Sequence, residues 1–248
     1  MKFKILDRFN KKKKRRTRGN GTKTNGAMSD KVKFAIVESY KSARTNLMFS
    51  LSAVDKKLFA VTSYSKGDGK STVSANLAIS FSKTDKKVLL IDCDLRRPNV
   101  HNIFKVSNEQ GLSNVIGKMV TVEEVIHKDV IPNLDVLPSG TIPPNPSELM
   151  CSNSFVSLVN RLSEEYDYII FDTPPIGVVA DALLLKDLIA GFVLVVRERD
   201  TTHGDVRKLI DSINLADSKA LGIIKVGCTF GSKTGKKGYY YYQYYYYY

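Results

Sequence analysis

The chain has 248 residues, 43% hydrophobic content and a formal net charge of +13, which suits one well-cored domain with tails and excludes two large ones. Residues 1–34 hold 13 Lys or Arg against only Asp7 and Asp30, so +11 of that charge sits at the N-terminus and the rest of the chain is nearly neutral. A basic tail on a neutral body does not make a nucleic-acid-binding fold, and no nucleic acid is expected as a partner. The longest charge-free apolar run, residues 188–196, is far short of the roughly 20 residues that span a bilayer. No apolar signal core follows the N-terminal charges, so a cytoplasmic location is expected. Cys93, Cys151 and Cys228 form no CxxC pair, which fits neither a disulfide framework nor a zinc site.

In chain order, residues 1–32 form a basic tail that includes the unbroken run 11–16, with too few apolar residues to offset chain entropy. It is expected to be disordered, and an anionic membrane surface is the partner its charge suits best. Residues 33–51 place Phe34, Ile36, Val37, Tyr40, Ala43, Leu47 and Leu51 at mostly helical spacings, predicting an amphipathic helix. From Leu58 the chain alternates short apolar runs with helical patterns, predicting an α/β fold with a mostly parallel sheet flanked by helices. Strands are predicted at 58–63, 88–92, 134–137, 168–172, 192–196 and 221–226. Four of these are apolar without alternation, as strands covered on both faces must be. The domain so defined runs from 33 to 230, and residues 231–248 form a glycine-tethered, tyrosine-rich tail with no strand or helix pattern.

The strand 58–63 leads into Tyr64, Ser65, Lys66, Gly67, Asp68, Gly69, Lys70, Ser71 and Thr72, after which 73–82 is predicted helical. Strand, glycine-bearing loop and helix together make a phosphate site, because the glycines let successive N–H groups turn inward and the helix N-terminus adds its own free donors. Ser65 to Thr72 would bind ATP, with Lys70 on the β- and γ-phosphates and Ser71 on Mg2+. The first glycine of the usual P-loop pattern is here Tyr64. The next strand ends in Asp92, with Asp94 two residues on, a spacing that puts both carboxylates on one side if the backbone stays extended. Paired acids at the C-terminal end of a parallel strand suit a magnesium-nucleotide site. Asp172, closing a later strand before Thr173, Pro174 and Pro175, is a second support for the metal.

These residues, with Arg96, the proline segment 143–149 and the terminal tyrosines, resemble the bacterial tyrosine kinase family over roughly residues 35–248. The resemblance implies a P-loop NTPase-like fold of the deviant Walker A and Walker A′ group, with Lys70 and Ser71 in Walker A, Asp92 and Asp94 in Walker A′, and Asp172 in Walker B. It implies an autokinase that uses ATP and Mg2+, is controlled by a membrane-bound activator or polysaccharide co-polymerase protein, and regulates capsule or exopolysaccharide export from the inner face of the membrane. Lys70, Asp92 and Asp94 are its expected catalytic residues, and Ser71, Asp94 and Asp172 its expected metal shell. One of Asp92 and Asp94 would take the tyrosine proton while the other supports metal water; the spacing leaves open which. Glu38, Lys41 and Arg44 share one helix side and resemble a family motif that joins subunits into a ring. The expected phosphate acceptors are Tyr239, Tyr240, Tyr241, Tyr242, Tyr244, Tyr245, Tyr246, Tyr247 and Tyr248. No His-Arg-Asp or Asp-Phe-Gly element and no cysteine-phosphatase spacing is present. The alternative reading is a partitioning or positioning ATPase of the ParA and MinD kind, which shares the paired acids.

Overall fold

Four predicted strands form with their predicted bounds: β1 (Leu58–Ser63), β2 (Val88–Asp92), β4 (Leu134–Leu137) and β5 (Tyr168–Asp172), each buried at every position. The computed structural model describes residues 30–55, 57–230 and 239–245. Within them β6 (Phe192–Arg197) and β7 (Ala220–Phe230) extend past their predicted ends, and two strands appear that hydrophobic patterning did not give, β3 (His127–Ile131) and β8 (Tyr239–Tyr245). The sheet order is β3-β4-β2-β5-β1-β6-β7-β8. Its six central strands run parallel, and β3 and β8 close the two edges antiparallel.

Continuous apolar strands send alternate residues to opposite faces, so both faces need a cover. One face presents Phe59, Val61, Leu90, Ile170 and Val193 to helices α1 (Asp30–Ser50) and α2 (Lys70–Ser82), which contribute Ile36, Tyr40, Leu47, Val73, Leu77 and Phe81. There Phe81 stands between the rings of Phe59 and Tyr168, at centroid distances of 5.7 and 4.6 Å. The other face presents Leu58, Ala60, Leu89, Ile91, Phe171 and Leu194, covered chiefly by α7 (Asn153–Glu165) and α8 (His203–Leu215). Each buried side chain of this size contributes about 1.5–3 kcal/mol. Short helices α3 (Val100–Phe104), α4 (Leu112–Ile116), α5 (Val122–Val125) and α6 (Pro146–Met150) and a 3-10 helix at Ala180–Leu185 lie in the connections.

Three expectations change. The first helix starts at Asp30, inside the segment read as tail, and it turns Phe34 outward, while Val32 joins the buried stripe. The tail is not without a strand: β8 pairs with β7 from Phe230↔Tyr239 to Ile223↔Tyr245. Tyrosine favours extended backbone, and β7 otherwise has an open edge of N–H and C=O groups. The predicted basic run 11–16 and Tyr246, Tyr247 and Tyr248 lie outside the described residues.

The β4 end of the sheet is fastened by one buried bond. Tyr166, at the end of α7, donates its hydroxyl to Asp135 Oδ2 at 2.6 Å, and Asp135 Oδ1 accepts from the Asp129 amide at 2.8 Å. Burial first, then the Asp135 carboxylate, raises the Tyr166 phenol far above its ordinary pKa, so it stays a donor at neutral pH. Tyr166→Phe strands a buried carboxylate oxygen and is expected to cost about 1–3 kcal/mol in urea unfolding; a loss under 0.3 kcal/mol would show that the bond carries no weight.

Candidate functional site

The chain crosses from one side of β1 to the other between β5 and β6, and ligands of open α/β sheets bind at such a switch, beyond the strands' C-terminal ends. There the loop after β1 is shaped by its own hydrogen bonds. Ser63 donates its hydroxyl to the Ser65 carbonyl at 2.7 Å, and the Ser65 amide donates to Asp68 Oδ2 at 3.0 Å. Gly67 and Gly69 take φ of +84° and +95°, where a side chain would strain the backbone. The helix then starts at Lys70, with the Val73 amide donating to the Gly69 carbonyl at 2.9 Å. Burial raises the pKa of Asp68, with the Ser65 amide, Ser63, Lys70 and Arg197 working against the shift. Asp68 therefore braces the loop from beneath.

Parallel pairing sets Asp92 of β2 directly beside Asp172 of β5, and Asp172 beside Val61 of β1. The turns beyond are laced together: the Cys93 amide donates to the Asp172 carbonyl at 2.8 Å, Thr173 Oγ1 to the Val61 carbonyl at 2.9 Å, Thr62 Oγ1 to the Pro174 carbonyl at 3.0 Å, and the Ile176 amide to the Ser63 carbonyl at 2.9 Å.

The two acids of the pair have different surroundings. β2 ends at Asp92, and Asp94 lies beyond it at the start of a turn, where the Arg97 amide donates to its carbonyl at 3.2 Å and to its Oδ1 at 3.0 Å. Asp92 is fully buried, and its carboxylate accepts the amides of Asn99 and Val100 at 3.0 Å and of Asp94 at 3.2 Å. Burial and then the neighbouring Asp172 push Asp92 well above the usual carboxylate range, with the amides opposing them. Asp94 instead faces a cavity of about 600 Å3.

That cavity gathers Lys66, Gly67, Gly69, Lys70, Ser71 and Thr72 of the predicted loop with Asp94. Ser65, Asp68, Asp92 and Asp172 are not among the residues lining it. Asp172 Oδ1 accepts from Ser74 Oγ at 2.8 Å, while its Oδ2 is buried without a hydrogen-bond partner. Its pKa is pushed up to about 6, first by burial, against the nearby hydroxyls of Ser71 and Ser74 and the charge of Lys70. An orphaned carboxylate oxygen beside a serine hydroxyl is a hard-oxygen set that fits Mg2+, which binds through one or two carboxylates, waters and substrate phosphates. Among the described residues no group of three or more His, Cys, Asp or Glu is placed to hold a metal ion.

In the rest of the cavity wall the motifs mark Arg96, Pro174 and Pro175 but not Arg97, Asn99, Val178, Val179 or Arg197. Pro174, Pro175, Val178 and Val179 form an apolar wall, and Arg96, Arg97, Asn99 and Arg197 supply polar groups. Arg96 is held elsewhere: its Nε donates to Asp181 Oδ2 at 2.7 Å and its Nη2 to Ser147 Oγ at 3.0 Å, tying the acidic turn to the proline segment and the 3-10 helix. Arg197 closes β6 as Asp172 closes β5, so the rule that found the acid also applied to the arginine. Glu38, Lys41 and Arg44 lie on α1, and none of them lines the cavity. Lys41 pairs with Glu38 at 2.7 Å, and Arg44 donates to the Ser80 carbonyl of α2 at 2.6 Å.

The AAA domain family model matches residues 56–222. Tyrosine-protein kinase YwqD of Bacillus subtilis (strain 168) is 40% identical over 225 residues, which are 91% of this chain and 94% of the relative. This chain belongs to the bacterial tyrosine-protein kinase family. The solved kinase domain of the Escherichia coli tyrosine kinase ETK superposes with a TM-score of 0.76 at 32% identity, covering 90% of this chain and 89% of that domain. MinD of Pyrococcus horikoshii shares the fold alone, at 23% identity and a TM-score of 0.57 over 67% of this chain and 68% of that one. The tyrosine-kinase chain thus has a nucleotide-binding P-loop fold, and the positioning-ATPase alternative retains only the architecture. No described helix is long and apolar enough to cross a membrane.

The different surroundings of the two acids separate their substitutions. Asp92→Asn keeps one acceptor oxygen but sets its NH2 against at least one of the three backbone N–H groups, and is expected to lower stability by about 1–3 kcal/mol. Asp94→Asn should leave the melting temperature unchanged and reduce phosphotyrosine formation about 10²- to 10⁴-fold. Thermal melts and phosphotyrosine blots on both variants check this; equal melting points would refute the structural role given to Asp92.

Proposed function

We propose that this chain is an ATP-dependent autokinase that phosphorylates its own C-terminal tyrosines. The observation that carries the reading is the cavity itself, where a phosphate loop, one open carboxylate and an apolar wall meet. The loop amides and Lys70 hold the β- and γ-phosphates, and Pro174, Pro175 and Val178 offer a surface on which a tyrosine ring can lie. Mg2+, held by Ser71 and Asp172, supplies charge neutralisation to the phosphates when bound. The tyrosine Oη forms its bond to the γ-phosphorus, the bond from that phosphorus to the bridging oxygen of ADP breaks, and Asp94 takes the phenol proton. Asp92, saturated by amides, holds the turn that aims Asp94.

The tail has a defined starting position. β8 runs down β7 away from the edge where Arg197 pairs with Val226, so its tyrosines leave the sheet before they reach an active site. Transfer between subunits of a ring, with Glu38, Lys41 and Arg44 at the contact, satisfies that geometry. Each phosphate adds about −1.5 to −2 charges, so several on one tail repel and loosen the ring. In this reading a membrane-bound activator recruits the kinase to the inner face of the membrane, and the cycle of assembly controls capsule or exopolysaccharide export.

Replacing the nine tyrosines at 239–242 and 244–248 by phenylalanine is expected to remove nearly all autophosphorylation, leave ATP binding intact and keep the protein assembled in sedimentation. Mass spectrometry that places the main phosphotyrosines at Tyr40, Tyr64, Tyr166 or Tyr168 would overturn the assignment.

The N-terminal run 11–16 is proposed to add an electrostatic contact with anionic lipid, at about 1 kcal/mol per basic residue near the surface. Deleting it should weaken binding to phosphatidylserine vesicles about tenfold or more and flatten the salt dependence; unchanged binding would refute the contact.

A further inference from the structure

Arg197 stands at the end of β6, and β6 flanks β1 on the side opposite β5 and β2. The phosphate loop therefore lies between this arginine and the acids Asp94 and Asp172. The guanidinium lies against the loop: a side-chain carbon built on Gly69 would come within 3.7 Å of Arg197 Nη2. Its stem is set on a fixed turn, where the Arg197 amide donates to Thr201 Oγ1 at 3.0 Å and the Glu198 amide to the Val226 carbonyl at 2.8 Å. Its Nε is buried without a hydrogen-bond partner, and its ion pair with the exposed Asp200 is a long one at 3.8 Å.

A buried guanidinium N–H without an acceptor costs about 1–3 kcal/mol. The fork faces the cavity that Lys70, itself buried, also lines, and it is the group best shaped for bidentate recognition of phosphate. We propose that Arg197 is a nucleotide-binding residue whose guanidinium donates to oxygens of the bound polyphosphate on the face turned away from Asp94 and Asp172. The polyphosphate is then held between a cation on the β6 side and the acid-bearing turns on the other. The inference rests on the nucleotide reading of the cavity and adds a ligand that the loop motif does not contain.

The test is calorimetric titration of the full chain with MgADP, with inorganic pyrophosphate and adenosine as separate competitors. Arg197→Ala is expected to raise the Kd for ADP and for pyrophosphate about 10- to 100-fold and to leave adenosine competition unchanged. Arg197→Lys keeps the charge but not the fork and should fall between; if the alanine variant does not fold, the lysine variant decides. ADP and pyrophosphate affinities within twofold of the parent, or a loss seen with adenosine alone, would overturn the proposal. Lys70→Met run in parallel separates the two levels. If it weakens ADP binding while the arginine variants do not, only the role of Arg197 falls; if neither does, the nucleotide reading falls with it.

Discussion

The register that places Asp92 beside Asp172 on adjacent parallel strands is the constraint on which the site depends. Two carboxylates at that separation repel, and burial raises the cost of charging either. The structure offsets the repulsion differently on the two strands. Asp92 is surrounded by amides from the turn and first residue of α3, whereas Asp172 takes one hydroxyl, from Ser74 of α2, and keeps one oxygen unpartnered. One acid is therefore saturated by backbone donors and the other keeps an acceptor free, although both close buried strands of the same sheet.

The same division runs through the arginines. Arg96 is spent on Asp181 and Ser147 and fastens the acidic turn to the proline segment, so its charge is largely balanced before any ligand arrives. Asp181 is held below its ordinary pKa despite burial by this bond and by Ser147, which keeps it ionised throughout the physiological range. Arg197 has no comparable partner. Charge near the cavity thus sorts into residues that hold loops in place and residues that remain available.

Much of the fold was legible because strands covered on both faces must be apolar at every position. β1, β2, β5 and β6 are largely apolar in that way, and the bounds of β1, β2, β4 and β5 agree with the sequence reading. β3 was missed because its exposed edge carries His127, Lys128 and Asp129, a composition that hydrophobic patterning assigns to a loop. β8 was missed because a run of one residue type has no alternation, although tyrosine itself favours extended backbone. In the site, Lys70, Ser71 and Asp94 were read from motifs as cavity residues. The different duties of Asp92 and Asp94 were not, since they depend on which backbone amides turn inward after residue 92. Spacing contains no information about that, and hydrogen bonds do.

The three amides gathered by Asp92 have a thermodynamic meaning of their own. A turn of this length, if loose in the free protein, would lose conformational entropy at the moment of ligand capture, at about 1–2 kcal/mol for each residue fixed. Here residues 94–100 are ordered by a carboxylate that belongs to the core, so that entropy is surrendered when the chain folds. Nucleotide capture then resembles filling a rigid mould more than closing a flexible one, and its ordering cost has been met before the ligand arrives.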